Sequence, residues 1–130
     1  MKSLKVNFYI RVEPNGSQEP LISIQPETYN MLAHIGRGHM YSSDGVKGEL
    51  EKIGKIIEGE IESYAFGGDD WCILEVKKDK TMITNGFDEF EPLEIDTSHI
   101  VKLMEDWLEF LLDYENGNIP GITHPKNIQI

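Results

Sequence analysis

The chain has a single cysteine among 130 residues, no long uninterrupted apolar run, and very few cations over nearly half its length. One cysteine, Cys72, rules out an intramolecular disulfide and any zinc motif built from several thiolates. It sits in the apolar run Trp71-Cys72-Ile73-Leu74, the setting of a small buried hydrophobe and not of an activated thiol. No stretch approaches the roughly 20 apolar residues of a membrane-spanning helix. The N-terminal Met-Lys-Ser-Leu-Lys-Val lacks an apolar segment of signal-peptide length, so a cytoplasmic location is expected. The missing cations are the most informative absence. From Glu58 to Glu115 the chain carries four lysines (Lys77, Lys78, Lys80 and Lys102) against seventeen of its 23 acidic residues, a formal charge of −13. Residues 1–57 are close to neutral. A field of that sign repels nucleic acid and anionic lipid and attracts cationic partners. Neither nucleic-acid nor membrane binding is expected.

The apolar content, 39% of residues, supplies one core, and the length fits one domain over 1–130. Leu4, Val6, Phe8, Ile10 and Val12 alternate strictly, predicting a strand. Pro14-Asn15-Gly16-Ser17 is turn chemistry, and Leu21–Ile24 returns as a second strand. Pro26 suits the start of a short helix to about Ile35, stopped by Gly36 and Gly38. The region from Gly38 to Gly45 reads as loop. Val46, Leu50, Ile53 and Ile57 recur at helical spacing, predicting a helix over about 45–57 with Asp44 as its cap. Glu60–Phe66 reads as strand or helix extension, with strand favoured, and Gly67-Gly68-Asp69-Asp70 as its turn into Trp71–Val76. Thr81–Thr84 and Pro92–Ile95 complete an antiparallel meander. The firmest element is a helix over Ser98–Glu115, capped by Asp96 or Thr97 and ended by Asn116-Gly117. Ile100, Met104, Trp107, Leu108 and Leu111 form its apolar stripe. Residues 118–130, with Pro120 and Pro125, read as an irregular tail. The expected class is therefore α+β, an antiparallel sheet packed on helices with a long amphipathic C-terminal helix.

Two patterns bear on binding. On the last helix, Asp106, Glu109 and Asp113 fall at offsets of three and four beside Glu105, where like charges oppose helix formation by about 0.2–0.5 kcal/mol per pair. They form either a solvated face for solubility or a docking surface for a basic partner. Phe87-Asp88-Glu89-Phe90-Glu91 interleaves two aromatics with three carboxylates. Exposed, it would anchor an interface with a cationic surface; turned inward, the two phenylalanines would be core. Asp69-Asp70-Trp71 repeats the theme more weakly. Against these, His34, His39, His99 and His124 show no metal-ligand spacing, the serines lack a nucleophile-elbow context, and Gly36-Arg37-Gly38 is too short for a phosphate loop. No metal or other cofactor and no catalytic residue is expected.

The stretch from about Glu60 to Ile122 resembles immunity proteins of bacterial polymorphic and contact-dependent growth-inhibition toxins. The resemblance lies in Gly67-Gly68-Asp69-Asp70-Trp71, Asn85-Gly86-Phe87-Asp88-Glu89-Phe90, Trp107-Leu108-Glu109-Phe110-Leu111 and Tyr114-Glu115-Asn116-Gly117-Asn118-Ile119-Pro120-Gly121-Ile122. It covers about half the chain. It implies a small cytoplasmic protein, without catalysis, that binds the C-terminal domain of a cognate toxin, often a nuclease. The residues expected at such an interface follow from charge and aromatics: Asp69, Asp70, Phe87, Asp88, Glu89, Phe90, Glu91, Asp106, Glu109 and Asp113. An adaptor whose acidity serves an acidic protein-binding face, or a small hydrolase assembled around His39 or His99, are the alternatives.

Overall fold

A computed structural model describes residues 3–69, 72–87, 91–118 and 123–129; the side chains of 3, 68, 69 and 123–129 are not described. The described residues build two antiparallel sheets and two α-helices. β1 (Ser3–Val12) pairs with β2 (Gln18–Gln25), placing Val6 against Ile24 and Phe8 against Ile22. Alternation then turns Leu4, Val6, Phe8 and Ile10 into the core, as the sequence predicts. The second sheet is the meander of β3 (Tyr64–Asp69), β4 (Cys72–Val76), β5 (Lys80–Thr84) and β6 (Leu93–Asp96), in the order β3-β4-β5-β6. The α+β class with a long C-terminal helix holds.

The helices differ from expectation in detail. The segment after Pro26 is a 3₁₀ helix, Glu27–Gly36, and a second 3₁₀ turn, Gly38–Tyr41, occupies what reads as loop. α1 (Ser43–Ile57) begins earlier than its periodicity suggests. Its cap is Ser42, whose Oγ accepts from the Gly45 N–H at 3.3 Å; Asp44 already lies in the first turn. Glu115 adds a second cap, accepting from the Ser43 N–H at 2.9 Å and the Ser43 hydroxyl at 2.6 Å. One carboxylate thus ties the end of α2 (Thr97–Glu115) to the positive end of α1. Both α-helices end in the same way. Gly59 (φ 84°) and Gly117 (φ 72°) take the left-handed conformation, and the next residues, Glu60 and Asn118, donate back to Lys55 O and Asp113 O.

Two sequence readings are corrected. Residues 123–129 are not irregular: they form β7 (Thr123–Gln129), antiparallel to β1, so the first sheet runs β2-β1-β7. Pro125 is tolerated because β7 is an edge strand, where a missing N–H breaks no further ladder. The strand β3 starts at Tyr64, later than Glu60, and runs through Gly67 to Asp69, with an irregularity in its pairing to β4 between Gly67 and Asp69. The glycines therefore lie within the bulged strand and not in the turn.

One contiguous core joins the sheets and helices, centred on Trp107. Its ring centroid lies 5.5 Å from that of Phe8 and 5.7 Å from that of Phe110, and its Nε1–H donates to Met40 O at 2.8 Å. Gly36 lies against the same indole, where an added Cβ would come within 2.8 Å of Cζ2. Cys72 is fully buried, consistent with its apolar run.

Candidate protein-binding face

The register of the second sheet separates its two surfaces. Phe66, Leu74 and Ile83 align inward on one row, and Val76, Thr81 and Ile95 on the next. Thr81 is accommodated in the core because Thr97 Oγ1 lies 2.9 Å from its hydroxyl and itself donates to Lys77 O at 2.6 Å. The opposite surface faces solvent. Ala65, Glu75, Met82 and Glu94 form one continuous outward row, and Gly67, Ile73 and Thr84 the next. Met82 is 38% exposed and stands between two carboxylates, with Glu75 directly opposite on one side and Glu94 on the other. Sheets of this kind carry polar residues on the wet side. Here two large apolar side chains, Met82 and the half-buried Ile73, occupy its centre.

Charge on this face is only partly balanced. Lys80 and Asp96 pair across β5 and β6, an interaction that raises the Lys80 ammonium above its ordinary range and lowers the Asp96 carboxyl, in each case chiefly through the hydrogen bond between them. Lys77 approaches Glu75 only at 3.9 Å, with both side chains well exposed, an arrangement worth little in water. Glu94 and Glu91 add exposed negative charge.

The meander also gathers the predicted loops. Because β3, β4, β5 and β6 alternate in direction, the β3–β4 connection and the residues after β5 lie at the same end of the sheet. Asp69, Phe87 and Glu91 stand at that end. Phe87 is 50% exposed, so of the two readings of this aromatic the structure has the outward one. Its backbone N–H donates to Asn85 Oδ1 at 2.9 Å, which fixes the turn that carries it. Asp70, Asp88, Glu89 and Phe90 lie outside the described residues.

The helix residues do not join this face. α2 packs on the inner side of the sheet, so its solvent side looks out from a different part of the surface. Glu109 is exposed there and Asp113 half-buried, with Glu105 one turn before. Asp106 departs from the predicted ridge: it is 6% exposed and accepts from Lys102 Nζ at 2.9 Å. That bond is the main cause of the upward displacement of the Lys102 ammonium. Asp106 therefore belongs to the helix's packing and not to a docking ridge. Sequence reasoning missed Glu75, Ile73, Met82 and Glu94. Alternation in β4 and β5 would have marked the first three as outward.

Two other places carry chemistry. Glu49 on α1 is 5% exposed; its Oε1 lies 2.9 Å from His39 Nε2 and accepts from the Tyr64 hydroxyl at 3.2 Å. Lys52 Nζ donates to that hydroxyl at 3.0 Å and lies 4.8 Å from the ring centroid, and this hydrogen bond is the first cause of its raised ammonium pKa. The network ties α1 to β3 and to the second 3₁₀ turn. His99 Nδ1 stands 3.9 Å from Asp96 Oδ2, too far for a hydrogen bond. A recess of about 460 Å³ lies where β2 meets the first 3₁₀ helix, lined by Ser23, Ile24, Gln25, Pro26, Glu27 and Asn30. It contains neither histidine. Among the described residues no three His, Cys, Asp or Glu side chains are grouped as metal ligands, and no helix is long and apolar enough to cross a membrane. No protein family, curated protein or solved structure matches the chain.

Proposed function

We propose that this protein is a cytoplasmic immunity-type inhibitor: it binds a basic toxin domain, of the nuclease kind, and neutralises it without catalysis of its own. The observation that carries the reading is the open face of the second sheet. Two apolar side chains at its centre, the exposed Met82 and the half-buried Ile73, are bordered by Glu75 and Glu94 and continued at one end by Phe87 and Glu91. An apolar centre within a charged rim is the usual anatomy of a protein interface. Here the carboxylates of the rim, Glu75, Glu91, Glu94 and Asp96, outnumber its cations, Lys77 and Lys80, which favours a cationic surface and steers its approach. Opposite charge raises association toward about 10⁸–10⁹ M⁻¹s⁻¹ at low salt, while buried apolar contacts slow dissociation. A basic nuclease needs its cationic surface to hold phosphates, so a protein seated there competes directly with the substrate.

The test begins with affinity capture from cells carrying the native locus. The captured domain is then assayed on nucleic acid with increasing amounts of the full-length protein. A basic domain whose activity falls to zero at equimolar inhibitor, and recovers with E75K/E94K in place of the wild type, supports the reading. A captured domain whose activity is untouched refutes neutralisation. Inhibition that survives E75K/E94K unchanged removes the sheet face from it.

A further inference from the structure

The dimensions of the open face restrict what can sit on it. We infer that the partner seats an amphipathic α-helix along β5, with its apolar stripe on Met82 and Ile73 and its lysines or arginines on both flanks of that stripe. This inference rests on the reading of the face as a surface for a basic protein.

Glu75 and Glu94 oppose Met82 from its two neighbouring strands. Strands in a sheet lie about 4.8 Å apart, so the two acidic side chains stand roughly 10 Å from each other with the thioether between them. A helix with its side chains is about 10–12 Å across, so a single helix fills that interval. Its cations on either flank then reach one carboxylate each, laying their alkyl stems along the apolar floor. The floor suits this occupant. Met82 is adaptable in shape, and Ala65 and Gly67 on β3 leave the Ile73 side of the row low. Along β5 the next outward residue before Met82 is Lys80, and its ion pair with Asp96 leaves that end of the face without net charge. An extended strand laid on the same floor would press its own amide and carbonyl groups onto Ile73 and Met82, where nothing bonds them. A helix brings its backbone already satisfied.

The experiment titrates the ¹⁵N-labelled full-length protein at low salt with three synthetic probes. They are a Lys/Leu amphipathic helix of about five turns, a peptide of the same composition with its apolar stripe scrambled, and oligolysine of equal charge. The expected result is that the amphipathic helix shifts the amides of Ile73, Glu75, Met82, Thr84 and Glu94 and binds about tenfold more tightly than either control. M82D should remove that preference, and M82A should reduce it; both change an outward side chain, and their spectra report whether the fold is kept. Equal binding of the three probes to this face overturns the helix and leaves the basic-partner reading standing. Shifts confined to Glu105 and Glu109, or no binding by any probe, overturn both.

Discussion

Adding one methyl group at Gly45 should cost this protein more than any comparable change elsewhere on α1. A Cβ there would stand 1.6 Å from the His39 carbonyl oxygen and 2.6 Å from its carbon. Both are backbone atoms, so no side-chain rotation relieves the clash. The 3₁₀ turn that carries His39 cannot simply retreat. Its Met40 is fully buried, and Met40 O accepts the Trp107 indole N–H at 2.8 Å. Overpacking costs about 1–3 kcal/mol, and loosening the Trp107 bond adds about 1 kcal/mol or more. G45A should therefore be destabilised by about 3 kcal/mol, lowering Tm by roughly 10 °C in a chain of this size. Gly48 and Gly54 lie on the same helix with nothing within 4 Å of an added Cβ. G48A and G54A should each stabilise by about 0.5–1 kcal/mol, because alanine suits a helix interior better than glycine does. Urea unfolding at constant m-value measures all three. A G45A midpoint equal to wild type, or losses of similar size at all three positions, would refute the close approach of the 3₁₀ turn to α1.

Thr97 should matter more than Thr81, because its hydroxyl donates to Lys77 O and accepts from Thr81: T97V strands two groups and should cost about 2 kcal/mol in urea unfolding, T81V about 1 kcal/mol. E115A removes the two carboxylate contacts to Ser43 while leaving the Ser42 cap, and should cost about 1–2 kcal/mol, with faster amide exchange in the first turn of α1. Asp96 has its carboxyl lowered in the folded state, so its contribution is complete above the ordinary carboxylate range and is lost as pH falls through the lowered value. In K80M a ¹³C titration should find that carboxyl returned toward its ordinary range, and the acid limb of the stability profile should become shallower, because Asp96 then takes up its proton over the same pH range in the folded and unfolded chain. Added salt should raise Tm by screening repulsion among the carboxylates while slowing association with a basic partner, and both changes should shrink in E75K/E94K.

The elements that were legible in the sequence are those whose signal is local. Strict alternation gave β1, and the apolar stripe through Ile100, Met104, Trp107 and Leu111 gave α2 together with its glycine stop. β7 was not legible, because Thr123–Gln129 contains a proline, alternates poorly, and acquires its pairing from β1 at the far end of the chain. The α1 cap went to Ser42 instead of Asp44 because the 3₁₀ turn before it, invisible to periodicity, sets where the helix begins. The candidate face was half legible. Phe87 and Glu91 were marked by clustering, and the meander does bring Asp69, Phe87 and Glu91 to one end. Glu75 and Glu94 are isolated acids in sequence and become neighbours of Met82 only through register. Asp106 failed in the opposite direction: helical spacing cannot tell a solvated carboxylate from one buried beside a lysine four residues earlier.

The carboxylates divide by what surrounds them, and that division carries the functional argument. Glu49, Asp106 and Glu115 are held by His39 and Tyr64, by Lys102, and by Ser43, so their charge is consumed in joining elements of the fold. Asp96 is held by Lys80. Glu75, Glu91, Glu94, Glu105 and Glu109 are exposed and do no comparable structural work. Their mutual repulsion weakens the compact state, so folding does not account for them. Solubility would account for charge of this sign spread evenly over the surface. It does not account for two of these carboxylates bracketing an exposed methionine on a sheet face whose centre is apolar. The cationic partner proposed above would explain both features together, since its binding would relieve the repulsion and cover the methionine in a single event.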